Sequence, residues 1–241
     1  MTDDSSGVAT SDTADAGIDH VEMGVLRVLT LADPDAVALH GRLVERHFPE
    51  VTTHSRCIPD HPEGIPTVEA EAAALPLVDS LDREMAADVD VLAVSCALDP
   101  GVAELDDALD VPVVGAGASV AAAALARGEH VGTLGLEAGT PPNVERLLGD
   151  RLRASEVVEG AETTTALTTE QGRAAIRRAV ARLADAGCDV VAPSCTGITT
   201  ADVLGDLRES LAIPVLDPVL AMAAMGRLAL VPTASPGGEQ R

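Results

Sequence analysis

The chain has 241 residues, of which 16 are Arg, none is Lys and 39 are Asp or Glu, so its formal net charge is -23. A basic stripe for nucleic acid is therefore excluded, and Phe48, the only aromatic residue, cannot form a stacking platform for single strands. An acidic, Lys-free surface is typical of a halophilic protein in a salt-rich cytoplasm, where salt screens self-repulsion. An acidic interaction surface is the alternative interpretation.

No apolar run reaches the roughly 20 residues that span a bilayer, and no signal-peptide pattern is present. Four cysteines do not make a disulfide scaffold. We therefore predict a cytoplasmic protein whose partner is a small molecule, with no membrane or nucleic-acid partner. The sequence is compatible with a homo-oligomer and does not define the oligomeric state.

Short apolar runs alternate with longer amphipathic stretches, which predicts an α/β fold with parallel sheets. The predicted strands are Val25–Leu31, Val51–Cys57, Val89–Ser95, Pro112–Ala116, His130–Leu136, Ser155–Glu159, Val190–Ser194 and Pro214–Leu216. The predicted helices are Asp35–Phe48, Thr67–Ala87, Pro100–Leu109, Ala118–Arg127, Pro142–Arg153, Thr169–Ala186, Thr200–Leu211 and Val219–Leu228.

A sequence of this length can form two domains of about 100 residues. We predict a first α/β domain from residues 23–115 plus 216–231 and a second from residues 116–215. Residues 1–22 and 232–241 are polar and small, and we interpret them as disordered tails.

A repeated segment supports two similar halves. Asp90–Cys96 reappears as Asp189–Cys195, five of the seven residues are identical, and both copies end in Ser-Cys. Each copy is followed by a helical stretch and a Pro-led apolar run. Because ligands bind beyond the carboxyl ends of parallel strands, we expect both thiols to face one site between two pseudo-symmetric, doubly wound domains.

A thiolate and a thiol on opposite faces of a carbon atom suit inversion of a centre next to a carbonyl. One sulfur removes the proton and the other delivers a proton to the opposite face. Backbone N–H groups at the helix starts are expected to lower the thiol pKa values. The developing enolate needs donors, which we assign to Ser95, Ala97, Ser194, Thr196 and Gly197.

The composition also argues against other chemistries. Without Lys, the chain cannot hold pyridoxal phosphate as a Schiff base or form a Walker-type phosphate loop. No C-x-x-C spacing supports a metal, so we expect neither cofactor nor metal. Cys57 and Cys188 are interpreted as packing residues. A redox disulfide between Cys96 and Cys195 stays an alternative.

Three further polar side chains could belong either to the site or to the scaffold. His40 lies on a predicted helix and is interpreted as a surface or partly packed residue. Asp99 is interpreted as a cap of the helix that follows it. Thr140, just past a predicted strand, is assigned either to substrate binding or to a helix cap.

The two halves resemble the aspartate/glutamate/hydantoin racemase superfamily over roughly residues 25–230. Ser95–Gly101 with its Asp-Pro-Gly is nearest the hydantoin racemase branch, and Ser194–Gly197 resembles the second half of the pattern. The resemblance implies a cofactor-independent racemase or epimerase in which Cys96 and Cys195 are the acid–base pair. Asp33 stands where members often bind substrate with Asn, Ser or Thr. This suggests a neutral amino-acid derivative or a hydantoin-like compound.

Two alternatives remain open at this point. One is an isomerase or decarboxylase of the same fold that uses a single cysteine. The other is a non-catalytic protein that binds a small molecule. The sequence does not specify the substrate or the preferred enantiomer.

Overall fold

A computed structural model describes residues 20–62, 64–65, 68–201 and 213–231. Seven strands form two parallel sheets: β1 (Val21–Arg27), β2 (Val51–Cys57), β3 (Val91–Ser95), β4 (Val113–Gly115), β5 (Val131–Gly135), β6 (Leu152–Val157) and β7 (Val190–Pro193). The first sheet has the order β2-β1-β3-β4 and the second β6-β5-β7. A single parallel bridge between Val191 and Val215 continues the second sheet beyond β7.

Nine α-helices of the described residues connect and cover these strands: α1 (Pro34–Val37), α2 (Leu39–His47), α3 (Val68–Met85), α4 (Val102–Ala108), α5 (Ala116–Leu125), α6 (Pro142–Leu148), α7 (Glu170–Asp185), α8 (Gly197–Thr200) and α9 (Pro218–Ala229). Short 3₁₀ turns cover Ala86–Asp88, Gly149–Arg151 and Thr164–Thr168. The prediction of two parallel-sheet α/β units is confirmed. None of the helices in these ranges is long and apolar enough to cross a membrane.

Apolar clusters on both faces of each sheet explain the layering. Every residue of β3 is buried, as expected for a central strand that is covered on both sides. Alternate β3 side chains enter two separate cores: Leu92 packs toward α3, while Val91 packs toward α9. The second sheet likewise lies between α7 on one face and α5 with α6 on the other.

Several element bounds differ from the predictions. β1 begins at Val21, inside the predicted tail, because Val21 is fully buried and pairs with Val51. The helix predicted over Asp35–Phe48 is broken at Ala38 into α1 and α2. The helix predicted from Pro142 ends at Leu148, and β6 starts at Leu152.

Some predictions lie outside the described residues. These are the tails over residues 1–19 and 232–241 and most of the helix predicted over Thr200–Leu211.

The last described helix, α9, packs against β3 of the first sheet and against α5, with Met222 and Ala223 fully buried.

Candidate active site

Both Ser-Cys segments border one cavity at the carboxyl ends of parallel strands. β3 ends at Ser95, and Cys96 follows it; β7 ends at Pro193 and is followed by Ser194 and Cys195. The cavity between them has a volume of about 270 Å³. Loops from both sheets contribute to its wall, so the structure brings the two thiols to a shared space.

Most residues that were assigned to the site from the sequence line this cavity: Ser95, Cys96, Ala97, Thr140, Ser194, Cys195 and Thr196. Gly197 lies just behind Cys195, toward which its backbone N–H is directed. Thr140 hydrogen-bonds the hydroxyl of Thr133 and is not the N-cap of α6, where Pro141 stands.

Asp33 does not line the cavity. Its side chain is exposed, and its carboxylate accepts a hydrogen bond from the backbone N–H of Asp35 at 3.0 Å, which caps α1. The assignment of Asp33 to substrate binding was therefore wrong, because Asp33 caps a helix outside the cavity and its charge does not select the substrate.

The thiol pKa values differ from the prediction. Burial raises the pKa of Cys96 far above the range of an ordinary thiol, and one backbone N–H, that of Leu98, opposes the shift. Burial also raises the pKa of Cys195, although N–H groups of Gly197 and Ile198 act against it. The expectation that helix-start N–H groups prevail was wrong, because enclosure removes more hydration from the thiolate than these dipoles restore.

Thr164 makes the two thiols unequal. Its hydroxyl hydrogen-bonds Cys195 and lowers the pKa of that thiol, whereas Cys96 has no hydroxyl partner among the described residues. The charges of Asp99 and Glu71 raise the pKa of Cys96 further. Cys195 is therefore the cysteine that ionises more readily, and Cys96 is the one that more readily keeps its proton.

His40 was expected near the surface, and that prediction was wrong. Its side chain is 1% exposed and packs between the two halves. Nδ1 lies 2.8 Å from Ser95 Oγ and Nε2 lies 2.9 Å from Thr200 Oγ1. Burial, with the nearby charge of Arg27, holds the pKa of His40 well below its ordinary value. The imidazole is therefore neutral.

Asp99 also has a role other than the predicted one. α4, the helix that follows it, has no side-chain cap. The Asp99 carboxylate instead accepts hydrogen bonds from the N–H groups of Gly117 and Ala118, both at 2.7 Å, at the start of α5. Burial nevertheless raises its pKa to about 6. Asp99 thus joins the loop after Cys96 to the second half of the chain.

Charged groups are scarce around the cavity. Arg27 is the one cationic side chain that lines it in the described part of the chain, and Glu137 is the one carboxylate. Arg27 is 3% exposed, Nη1 donates to the carbonyl of Ala36, and the buried Nε has no partner among the described residues. Most other polar lining groups are hydroxyls and backbone, and no residue that the structure describes hydrogen-bonds the buried hydroxyl of Ser194.

The sequence reasoning missed Arg27, His40 and Thr164. A signal for Arg27 is present, because an arginine that ends a buried apolar run stands at the carboxyl end of a strand. No comparable signal exists for Thr164, one of three consecutive threonines. His40 lies 55 residues from Ser95 in sequence, and only packing brings them together.

The Asp/Glu/Hydantoin racemase family model matches residues 36–226. No curated protein matches the chain. The allantoin racemase of Pseudomonas fluorescens is 22% identical with a TM-score of 0.72, covering 86% of this chain and 89% of its own.

Two further solved structures share the fold. The allantoin racemase of Klebsiella pneumoniae is 21% identical with a TM-score of 0.70, covering 91% of this chain and 97% of its own. The maleate cis-trans isomerase of Nocardia farcinica, in a mutant with a covalently bound succinylcysteine intermediate, is 16% identical with a TM-score of 0.64. That match covers 87% of this chain and 92% of the isomerase.

Proposed function

The chain belongs to the Asp/Glu/hydantoin racemase family, which makes it an isomerase, and we propose that Cys96 and Cys195 are its acid–base pair. The observation that carries this proposal is the position of both sulfur-bearing residues on one cavity, each at the end of a repeated strand. The reaction is inversion of a carbon next to a carbonyl, without a cofactor.

The proton transfers balance within the pair. One thiolate takes the proton from the carbon and becomes a thiol, while the C–H electrons move into the enolate. The opposite thiol then gives its proton to the other face of the carbon and becomes the thiolate. The protonation states are exchanged, so the pair is ready for the reverse direction. Cys195, with three donors to its sulfur, is the thiol of the pair that loses its proton more readily and so supplies the thiolate.

The enolate oxygen requires hydrogen-bond donors in an enclosed site. The Ser194 hydroxyl is buried at the cavity without a partner among the described residues, and a substrate oxygen or N–H would satisfy it. Thr140, Thr196 and Ala97 also line the cavity, and because the Thr196 hydroxyl already donates to the carbonyl of Ser95, it can only accept from a ligand. These groups suit a compound with several carbonyl and N–H groups.

The charge balance favours a neutral substrate. A bound dicarboxylate would bring two charges into a space with one cationic side chain among the described lining residues, and an unpaired buried carboxylate is costly. Hydantoins, allantoin and related cyclic amides or ureides carry no such penalty. We therefore place a hydantoin-like compound ahead of aspartate or glutamate.

The test is exchange of the substrate α-hydrogen in D₂O together with polarimetry in concentrated KCl. The panel consists of allantoin, substituted hydantoins, aspartate and glutamate. Exchange with loss of optical rotation for a cyclic compound supports the proposal. A protein that binds these compounds without exchange would be a non-catalytic binder, and the proposal would be rejected.

Cysteine variants separate this mechanism from chemistry with one cysteine. Cys96→Ser and Cys195→Ser should each abolish racemisation, while Cys57→Ser, outside the cavity, serves as the matched control. The maleate isomerase relative favours the second candidate, an isomerase with a cysteine nucleophile. A covalent adduct on one cysteine by mass spectrometry, with turnover retained after loss of the other, would select that candidate.

A further inference from the structure

The two copies of the repeated Ser-Cys segment differ in the surroundings of their serines. Ser194 Oγ is buried and has no partner in the described ranges, whereas Ser95 Oγ lies 2.8 Å from Nδ1 of His40. Both serines line the cavity. The proposed reaction needs hydrogen-bond donors at the enolate oxygen. Ser95 can be such a donor only if its hydroxyl proton is not already given to His40.

A neutral imidazole has one donor and one acceptor nitrogen. His40 contacts two hydroxyls, Ser95 on one side and Thr200 on the other, so its tautomer sets the direction of both hydrogen bonds. If Nδ1 carries the proton, it donates to Ser95 Oγ, and the Ser95 O–H is left to donate elsewhere. If Nε2 carries it, the Ser95 proton is held by His40.

The two directions leave different hydroxyl protons unplaced. In the described part of the chain, the Thr200 hydroxyl hydrogen-bonds only His40. With the proton on Nδ1, Thr200 donates to Nε2 and the one unplaced proton is that of Ser95, at the cavity. With the proton on Nε2, the unplaced proton is that of Thr200, away from the cavity wall. Only the first arrangement offers the free donor to a ligand.

We propose that neutral His40 is a positioning residue that makes Ser95 a hydrogen-bond donor to the enolate oxygen of the substrate. The proposal rests on the proposed function for the identity of the acceptor. The charges around His40 agree with a neutral imidazole, because Arg27 lies beside Ser95 in the β1–β3 register and disfavours a second positive charge on His40. His40, on α2, also connects β3 with α8. The hydrogen-bonded series Thr200–His40–Ser95, here called the relay, therefore spans both halves of the chain.

The tautomer can be measured without any substrate. In protein labelled with nitrogen-15 histidine, long-range proton–nitrogen spectra distinguish the two neutral tautomers, and His40→Gln identifies the resonance. We expect the Nδ1–H form at pH 7, with its Nδ1 resonance shifted in Ser95→Ala and its Nε2 resonance shifted in Thr200→Val. An Nε2–H or doubly protonated His40 would overturn the proposal.

The kinetic test compares two substitutions of the same residue. Asn carries its amide nitrogen near the position of Nδ1 and keeps the bond to Ser95, whereas Gln places it near Nε2 and keeps only the bond to Thr200. His40→Asn should retain most of the turnover. His40→Gln should reduce kcat on the order of tenfold to a hundredfold, less than the roughly hundredfold to thousandfold of a deleted oxyanion donor because the Ser95 hydroxyl remains, with KM little changed.

A double variant shows whether His40 acts through Ser95. His40→Gln should reduce kcat no further in a Ser95→Ala background, and thermal melts identify variants that are simply unstable. Equal losses in the Asn and Gln variants, or an additive loss in the double variant, would contradict the relay. Failure of the wild-type protein to exchange any α-hydrogen rejects the proposed function instead, since the tautomer is measured independently.

Discussion

Asn143 Nδ2 lies 2.8 Å from Oδ2 of Asp99 and also donates to the carbonyl of Ala97 at 3.0 Å. Asn143 is on α6, in the second half of the chain, while Asp99 and Ala97 belong to the loop after Cys96. The position of Cys96 therefore depends on contacts with the other half. The start of α5 completes this junction through the N–H groups of Gly117 and Ala118.

Gly117→Ala should disturb the junction. A Cβ at this position would lie 2.1 Å from the carbonyl oxygen of Ala97, a backbone atom with little freedom to move. We expect a loss of about 1–3 kcal/mol in the free energy of unfolding, together with reduced turnover. Thermal melts and α-hydrogen exchange measure the two effects.

Gly226→Ala is the matched control, because Gly226 is also a buried helical glycine. The nearest atom to its added Cβ is the flexible end of Met23, at 3.0 Å, and alanine favours the helix by about 1 kcal/mol. This variant should be neutral or slightly stabilising. Equal destabilisation by both substitutions would show that the junction has no special sensitivity.

The thiol pKa values predict the pH dependence of the reaction. Because burial raises the pKa of both Cys96 and Cys195, little thiolate is present at neutral pH in the free enzyme. The base must be a thiolate, so kcat/KM should increase with pH throughout the range in which an ordinary thiol ionises. A profile of kcat/KM against pH that is already level at neutral pH would contradict this.

Thr164→Val should make Cys195 a weaker nucleophile. Removal of the hydroxyl raises the pKa of the Cys195 thiol, and loss of one hydrogen bond of about 1 kcal/mol corresponds to roughly fivefold slower alkylation at fixed pH. Iodoacetamide labelling, followed by mass spectrometry of the Cys195 peptide, measures the rate. Thr165→Val is the control, because the exposed Thr165 hydroxyl contacts Thr163. Equal alkylation rates in the two variants would show that the Thr164 hydroxyl does not assist the ionisation of Cys195.

Asp82 predicts a pH-dependent stability. Its side chain is 0% exposed, both oxygens lack a partner within the part of the chain that the structure describes, and burial raises its pKa from the ordinary 3.8 to about 7. Between these values the folded protein holds a proton that the unfolded chain has released, so this group makes stability fall as pH rises from about 4 to about 7.

Asp82→Asn should therefore raise the free energy of unfolding at pH 8 and change it little at pH 4. The upper limit of the gain is roughly 4 kcal/mol, at 1.36 kcal/mol for each pKa unit. Asp79→Asn, on the exposed side of the same helix, should remove a surface ion pair with Arg83 and only the smaller, charge-based part of the Asp82 pKa shift, so its effect on stability should be much smaller. Denaturant unfolding of the wild type and the variants at both pH values measures these free energies. If Asp82→Asn changed the free energy of unfolding equally at pH 4 and pH 8, the raised pKa of Asp82 would be contradicted.

The net charge of -23 predicts a requirement for salt. Dilution into low-salt buffer lengthens the screening distance, and the self-repulsion of 39 acidic residues then destabilises the compact state. Circular dichroism melts in molar KCl and in low salt should differ by many degrees. A melt that is independent of salt would count against a halophilic protein.

The apolar runs and the repeated Ser-Cys segment were sufficient to predict the parallel sheets and the two Ser-Cys segments along the cavity, but not Arg27 or Thr164, and Asp33 was assigned there wrongly. Those features depend on local periodicity and on a general property of parallel strands. The neutral His40 and the Thr164 hydroxyl could not be predicted, because each acts through a side chain brought near only by packing. The shifts of the thiol pKa values were predicted in the wrong direction, because residue spacing does not show how deeply tertiary packing buries a side chain.

The enclosure of Cys96 and Cys195 also has a consequence for handling the protein. Peroxide and oxygen attack thiolates, and the resting protein presents sulfur that is largely protonated. We therefore expect oxidation in air to be slow without an added reductant. Turnover is the interval in which a deprotonated sulfur is present and oxidation should be fastest.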